Sequence, residues 1–262
     1  METLSLYLLL GVFAGTLAGL FGVGGGLVMV PVLVFIFQSQ AMPGAVIMHM
    51  ALGTSLAIIM LTSLSSIRAH HQRGAVLWSV CGRLTPGIVL GALSGAVVAD
   101  ALPDAVLKPL FGVFELLVAL QMWLGVRPSI QRNLPDWPGM SVAGWVIGSV
   151  SAIVGIGGGT LTVPFLTWCR IGIHHAVATS AACGLSIAVA GTLGFIATGW
   201  NEAGLPDMSS GYVYWPAFAA VAVTSILFAP LGARLAHALP ADRLKKFFAI
   251  FLAILGVRML VV

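Results

Sequence analysis

The residues that could do chemistry in this sequence are few, and most of them lie inside long apolar runs. The clearest pattern is a glycine-rich stretch, "GLFGVGGGLVMVPVL" at 19–33, which recurs as "AIVGIGGGTLTVPFL" at 152–166. Glycines let the backbone bend and approach closely, and a helix that begins after such a break carries roughly half a positive charge at its N-terminus. The pattern predicts a site for one small anion, formed by four glycines from each stretch: Gly22, Gly24, Gly25 and Gly26 with Gly155, Gly157, Gly158 and Gly159.

Hydroxyl and imidazole groups follow each glycine stretch in matched positions. "HMALGTSL" (49–56) aligns with "HHAVATSA" (174–181), which pairs Thr54 with Thr179, Ser55 with Ser180, and His49 with His174. A hydroxyl can bind an oxyanion, but it can also bind its own helix backbone. An imidazole can attract an anion or relay a proton, although a position beside a short loop at the membrane edge is the alternative. We treat all six as candidate substrate-binding residues.

Two charged residues lie well inside apolar segments. Arg83 is a candidate guanidinium for an oxyanion, or a side chain that reaches back to the membrane edge. Glu115 stands about ten residues into a predicted membrane helix, where a charge costs about 3 kcal/mol to insert. Its candidate role is proton coupling, and pairing with Lys108 or Arg83 is the alternative.

Several kinds of site are not predicted. "GVGGG" does not follow a strand as GxGxxG would, and it lacks the Lys-Ser/Thr of a phosphate-binding loop, so we expect no nucleotide site. Cys81, Cys169 and Cys183 are scattered and predict neither a metal site nor a disulfide. The nearest approach to a catalytic group is His174, His175 and Cys169, without a carboxylate nearby, so we expect no enzyme and no cofactor. No clustered basic face suggests nucleic-acid binding.

Composition identifies the environment in which these groups must work. The chain is 59% hydrophobic and 8% charged, with a mean hydropathy of +1.06. A soluble domain carries about a quarter charged residues. The apolar runs are continuous and do not alternate with a period of two, which predicts an all-α polytopic membrane protein.

Three matches in the same order show that the chain is a duplicated unit. Besides the two already given, "GAVVADALPDAVLKPLF" (95–111) aligns with "GARLAHALPADRLKKFF" (232–248). The predicted organisation is a first transmembrane repeat at 1–126, a polar linker at 127–139 and a second repeat at 140–262, in one integrated membrane domain. The spacing of Gly87, Gly91 and Gly95 is typical of helix packing.

Loop charges predict that the two repeats are inverted. The loop "RAHHQRGA" (68–75) is basic, whereas its counterpart "NEAGLPDMSSG" (201–211) is acidic. The next pair of loops has the opposite bias, with Asp100 and Asp104 in the first repeat and a basic cluster in the second: Arg234, Arg243, Lys245 and Lys246. By the positive-inside rule, 68–74, 127–139 and 234–246 are expected in the cytoplasm, and 99–104 and 200–211 outside.

Each repeat should contain a glycine-broken hairpin followed by three membrane helices. The predicted hairpins are 4–21 with 26–37 and 140–154 with 159–170. The predicted helices are 45–67, 75–98, 105–126, 176–199, 212–235 and 242–262. A helix of about twelve residues reaches only ~18 Å, short of a ~30 Å hydrocarbon core. Each broken pair is therefore re-entrant or spans as a broken helix, which gives eight to ten segments in total.

These stretches resemble a known family. The repeated "GTLAGLFGVGGGLVMVPVL" and "GSVSAIVGIGGGTLTVPFL", with "HMALGTSL", resemble the TauE/SafE family, also called the 4-toluene sulfonate uptake permease family. The resemblance implies a multi-pass protein of the cell inner membrane that moves sulfite, sulfoacetate, another organosulfonate or thiosulfate. It also implies coupling to an ion gradient, with H⁺ or Na⁺ as the coupling ion.

We expect a secondary transporter with alternating access around the two GxGGG breaks, whose partners are a small anion and the lipid bilayer. Two alternatives remain: an anion channel with an hourglass constriction, and a carrier of a non-sulfur organic anion. The exact substrate, the direction of transport and assembly as a homodimer stay open.

Overall fold

The part of the chain that can be described is nearly all helical. In this computed structural model, residues 2–21, 25–125, 133–238 and 241–261 are described, without the side chains of 2–3, 18–21, 230, 232–238 and 241–245. The first half contains α1 (Glu2–Phe21), α2 (Gly26–Ser39), α3 (Ile47–Gln72), α4 (Trp78–Asp100) and α5 (Asp104–Leu124). The second half contains α6 (Trp137–Val154), α7 (Gly159–Trp168), α8 (Ile173–Thr198), α9 (Trp215–Ala238) and α10 (Ala241–Val261). A short antiparallel hairpin of two-residue strands, β1 (Ser209–Ser210) and β2 (Val213–Tyr214), precedes α9.

This architecture confirms the predicted all-α membrane class. Within the described ranges, five helices are long and apolar enough to cross a membrane: α3, α4, α5, α6 and α8. The predicted helix boundaries differ from the observed ones by a few residues. One difference affects the linker, because α6 begins at Trp137 and the last three residues of the predicted linker are helical.

The two glycine-broken pairs are re-entrant hairpins. At the open end of the first hairpin, the Gln40 side-chain amide donates to the Tyr7 hydroxyl at 2.6 Å, so α1 begins where α2 ends. At the open end of the second, Arg170 Nη1 lies 3.4 Å from Asn133 Oδ1, which joins the end of α7 to the segment before α6. With 14 and 10 residues, α2 and α7 are about 21 and 15 Å long, too short to cross a hydrocarbon core.

The two hairpins open on opposite sides of the helix bundle. The Tyr7 ring lies 6.5 Å from the ring of Tyr214, so the first hairpin opens on the side that carries segments 40–46, 101–103 and 199–214. We call this side the acidic face. Segments 73–77, 133–136 and 169–172 lie on the other side, the basic face, where His175 Nδ1 is 2.9 Å from the Ala75 carbonyl. The halves are therefore inverted, as the loop charges predicted.

The packing of the helices follows the same symmetry. Helix α4 packs on α6 and α1 packs on α9, while α5 packs on α10 and α3 on α8. Exchanging the halves converts the α4–α6 contact into the α1–α9 contact, and it maps the α5–α10 and α3–α8 contacts onto themselves. Gly87, Gly91 and Gly95 lie directly against the α6 backbone, where a Cβ would collide with it, which confirms their predicted packing role.

Candidate substrate site at the two helix breaks

The two glycine breaks meet inside the bundle. Gly25 (φ +78°) precedes α2 and Gly155 (φ +67°) ends α6, and both occupy the left-handed region that glycine adopts without strain. A Cβ built on Gly26 would stand 2.9 Å from the Ile156 Cα and 3.0 Å from the Gly155 carbonyl oxygen. The start of α2 thus touches the end of α6, which brings together the predicted glycines of both repeats. Gly22 and Gly24 lie outside the described residues.

Close approach explains why this second break is built from glycine. A Cβ on Gly158 would stand 3.2 Å from both the Gly184 nitrogen and the Ser180 carbonyl oxygen of α8. A Cβ on Gly155 would stand 2.7 Å from Leu52 Cδ2 of α3. Gly157 is buried and Gly159 is half-buried at the start of α7. Any larger residue at Gly155 or Gly158 must displace the chain around it.

Three hydroxyls flank the second break without a hydrogen-bond partner in the described part of the molecule. Ser151 lies in the last turn of α6, and Thr160 and Thr162 lie in the first turn of α7. Ser151 and Thr162 are fully buried, and Thr162 Oγ1 lies 3.1 Å from the position that a Cβ on Gly158 would take. A buried hydroxyl that lacks a partner costs about 1–3 kcal/mol. An oxyanion at this break would accept hydrogen bonds from such groups.

These hydroxyls are not among the residues that match between the repeats, although the sequence carries a different signal for them. In the aligned repeats, "GGGTLTVP" stands where the first copy has "GGGLVMVP", so Thr160 and Thr162 replace Leu27 and Met29. A comparison restricted to differences between the copies would have singled them out. Residues that match between the copies point to Thr54 and Thr179 instead.

The matched threonines connect the two halves. Thr54 Oγ1 accepts a hydrogen bond from the backbone N–H of Tyr214 at 3.0 Å, and Thr179 Oγ1 accepts one from Leu77 at 3.0 Å. Tyr214 and Leu77 immediately precede α9 and α4, so the two bonds are equivalents under exchange of the halves. Each threonine therefore anchors the start of a helix that belongs to the other repeat.

The matched serines differ in their hydrogen-bond partners. Ser55 Oγ donates to the Gly155 carbonyl at 2.9 Å and so fixes the second break against α3. Ser180 Oγ donates to the Val177 carbonyl of its own helix at 2.8 Å. Ser55 thus belongs to the region where the breaks meet, and Ser180 lies beside Gly158 through its backbone carbonyl.

The candidate histidines lie at opposite faces of the bundle. His49 is buried near the acidic face, with Nδ1 2.9 Å from Asp104 Oδ1 and Nε2 3.0 Å from the Ala99 carbonyl oxygen. Both partners are acceptors, an arrangement that suits an imidazole with a proton on each nitrogen. His174 is exposed in the first turn of α8, at the basic face.

Tyr212 completes this cluster at the acidic face. Its ring stacks on the His49 ring at 4.9 Å, and its hydroxyl donates to Asp100 Oδ1 at 2.9 Å. Burial, together with that carboxylate, raises the pKa of the Tyr212 phenol, which keeps it a donor. The cluster ties α3, α4 and α5 to the segment before α9.

The two charged candidates have opposite surroundings. Arg83 is exposed on the outer surface of α4, whereas Glu115 is fully buried on α5. Neither Glu115 oxygen has a hydrogen-bond partner among the described residues. The pairing of Glu115 with Lys108 or Arg83 is not observed, since the ion pair found in the described ranges joins His49 and Asp104.

Known proteins similar to this chain include one described family and several relatives named as membrane transporters. The sequence profile of the family described as "Sulfite exporter TauE/SafE" matches residues 7–259. A "Probable membrane transporter protein" of Haemophilus influenzae is 38% identical over 255 residues, which cover 97% of each chain. A protein of the same description from Methanocaldococcus jannaschii is 29% identical and covers 98% of this chain and 95% of its own. No solved structure gives a significant match.

Proposed function

Because the chain belongs to the TauE/SafE family and is a membrane transporter, we propose that it is a secondary carrier of a small sulfur-containing anion. Sulfite, sulfoacetate, other organosulfonates and thiosulfate form the proposed substrate class. The description of the family names sulfite export, which supports an oxyanion of sulfur. The curated relatives carry only the broader description of membrane transporters.

The observation that carries this proposal is the meeting of the two re-entrant hairpins. Gly26 at the start of α2 touches Gly155 and Ile156 at the end of α6. Transporters built from inverted repeats bind substrates where discontinuous helices from the two halves meet. At such a place the N-terminus of α7 supplies partial positive charge, and Ser151, Thr160 and Thr162 supply hydroxyl donors.

The inverted hairpins also suggest how access alternates. The first hairpin opens on the acidic face and the second on the basic face. Rocking one half against the other would open the shared site first to one face and then to the other. The site itself stays near the middle of the bilayer throughout this cycle.

Glu115 is the proposed proton-coupling group. It is fully buried and has no hydrogen-bond partner among the described residues, and its equivalent in the second repeat is the apolar Leu252, so the fold does not need a carboxyl group there. The titratable residues described on the helices packed against α5 are His49, Arg68, His70 and His71 of α3 with Lys246 and Arg258 of α10, and none forms an ion pair with Glu115. Such a carboxyl group can take up and release one proton per cycle.

The substrate class is tested with purified protein in proteoliposomes. We expect saturable uptake of at least one radiolabelled anion among sulfite, sulfoacetate and thiosulfate. Unlabelled sulfur anions should compete with this uptake, whereas acetate and phosphate should not. Absence of uptake for all three anions, with uptake of a carboxylate instead, would contradict the sulfur-anion assignment and leave a carrier of another organic anion.

A further inference from the structure

A pocket at the acidic face, next to the first hairpin, is lined by two cationic side chains. Its walls come from α2, α5 and α10, and its polar lining residues are Gln38, Lys108 and Arg258. Pro31, the proline that closes the first glycine motif, also lines it. None of the described lining residues is acidic. The pocket therefore lies beside the short helix that begins at the first break, and its charged lining is positive.

The positions of these cations are unusual for this chain. The acidic face carries Asp100, Asp104, Glu202 and Asp207. Lys108 lies in the second turn of α5 and Arg258 in the last turn of α10, and both are at that face. The other Lys and Arg residues of the sequence lie in the linker 127–139 or toward the opposite ends of their helices and loops. Lys108 and Arg258 are the two cations that depart from this distribution, and both lie in the wall of the same pocket.

Within the described residues, no carboxylate forms an ion pair with Lys108 or Arg258 and so neutralises either cation. Asp104, one turn before Lys108, is bonded instead to His49 Nδ1 and to the backbone N–H of Met48, each at 2.9 Å. The guanidinium of Arg258 is held over the Phe35 ring, with Cζ 4.3 Å from the ring centroid. This stacking orients a charged donor at the pocket.

From these contacts we infer that the pocket formed by Lys108, Arg258 and Gln38 is a binding site for a small oxyanion on the acidic face, separate from the site between the breaks. This inference rests on the proposed function, because the pocket would capture the transported anion before it reaches the breaks. Lys108 and Glu115 are seven residues apart on α5, which places them on the same side of that helix and about 10 Å apart along it. The pocket thus lies about two helical turns closer to the acidic face than the buried carboxyl group of Glu115.

Two cations in a pocket concentrate an anion and accelerate its capture, so their removal should weaken apparent affinity and leave turnover unchanged. We expect Lys108→Gln with Arg258→Gln to raise KM about tenfold, because a focused positive potential changes association by such factors. Vmax should stay within about twofold. The KM of the unaltered protein should rise with ionic strength, and that of the double variant should respond less, because salt screens exposed charges.

Vesicle orientation makes the test specific. KM is measured in right-side-out and in inside-out membrane vesicles, and the double variant should change it from one side only. Lys246→Gln is the matched control, since Lys246 lies near the other end of α10 with its ammonium 5.8 Å from the Trp123 ring centroid. Lys108→Arg in the presence of Arg258 should keep the original KM. If the double variant transports normally and its KM is unchanged from both sides, the pocket does not capture the anion and the inference is wrong.

A binding measurement separates this inference from the carrier proposal. Sulfite, sulfoacetate or thiosulfate should raise the melting temperature of the purified protein, and the double variant should show a smaller increase at the same anion concentration. If no anion is transported but the stabilisation and its reduction in the double variant are observed, the proposed function fails while the pocket stands. If the double variant differs only in phosphatidylglycerol-containing bilayers and not in the response to free anions, the cations bind a lipid headgroup and the inference is wrong.

Discussion

At the scale of single residues, the structure separates side chains that hold the halves together from side chains that remain free to act. Thr54, Thr179 and Ser55 each bind the backbone of the opposite repeat. Glu115, Ser151 and Thr162 are equally buried, but the described part of the chain offers them no partner. Unmet buried polar groups are uncommon in folded proteins and call for an explanation. The proposed substrate and proton provide one.

Replacing Glu115 by Gln should separate transport from coupling. Gln keeps the volume of the side chain and removes its titratable proton. We expect exchange of labelled for unlabelled anion at equal pH to stay within about threefold of the original rate. Accumulation driven by an inward proton gradient should fall at least about tenfold, because each cycle would no longer carry the proton that this carboxyl group takes up.

Glu202→Gln is the control for Glu115→Gln, since Glu202 is exposed in the segment after α8. It should leave both exchange and gradient-driven accumulation unchanged. Gradient-driven accumulation that survives in Glu115→Gln would show that the coupling proton binds elsewhere.

Thr54→Val and Thr179→Val should lower stability and leave affinity for the anion unchanged. Valine preserves the shape but leaves the N–H of Tyr214 or Leu77 without its acceptor. The expected loss is about 1 kcal/mol in each case, read as a fall in melting temperature in detergent. Thr85→Val, which removes a bond to the carbonyl of Cys81 in the same helix, is the control and should cost less. A raised KM without loss of stability would instead make these threonines substrate ligands.

At the scale of elements, the decisive features are the two re-entrant hairpins and the close packing around their breaks. The short α2 and α7 begin inside the bundle, where glycines adopt the left-handed turn and admit α3 and α8 at close range. Backbone without regular hydrogen bonding is tolerated at membrane depth only where protein or a polar cavity surrounds it. The breaks satisfy this condition because Gly25, Gly26, Gly155 and Gly158 are all buried.

Gly158→Leu should abolish transport while the protein still inserts into the membrane. A leucine side chain would have to displace the α8 backbone at Ser180 and Gly184, which a Cβ alone already approaches at 3.2 Å. Gly25→Leu should do the same, because leucine disfavours the φ of +78° found there. Gly82→Leu is the matched control, since nothing lies within 4 Å of a Cβ at that exposed position of α4. Near-normal uptake by both Gly25→Leu and Gly158→Leu would show that the breaks are not part of the substrate site.

At the scale of the whole molecule, the inverted repeat could be predicted from the sequence. Three ordered matches and the alternation of loop charge were sufficient, because duplication preserves glycines and prolines and the membrane imposes the charge bias. The sequence does not determine whether each glycine-broken helix pair spans the membrane or returns to the face at which it enters. The contacts of Tyr7 with Gln40 and of Arg170 with Asn133 decide this in favour of re-entrant hairpins.

The tertiary partners of the site could not be predicted in the same way. The bond from Tyr214 to Thr54 joins residues 160 positions apart, and the pocket at the acidic face joins Lys108 with Arg258 from helices in different repeats. Helical periodicity does not determine which helix of one repeat packs on which helix of the other. Residues that occur in one copy only, such as Glu115, Thr160 and Thr162, carry no repeat signal, although they are among the buried polar groups without a partner in the described ranges.

The most direct test of the central claim is the dependence of anion entry on anion already inside the vesicle. Proteoliposomes loaded with a saturating concentration of the unlabelled substrate are compared with empty ones, and entry of the same labelled sulfur anion is followed. A carrier that alternates around one shared site should take up label faster into loaded vesicles, with a transient accumulation above equilibrium. Entry that does not saturate and is independent of the internal anion would contradict the account and indicate a channel.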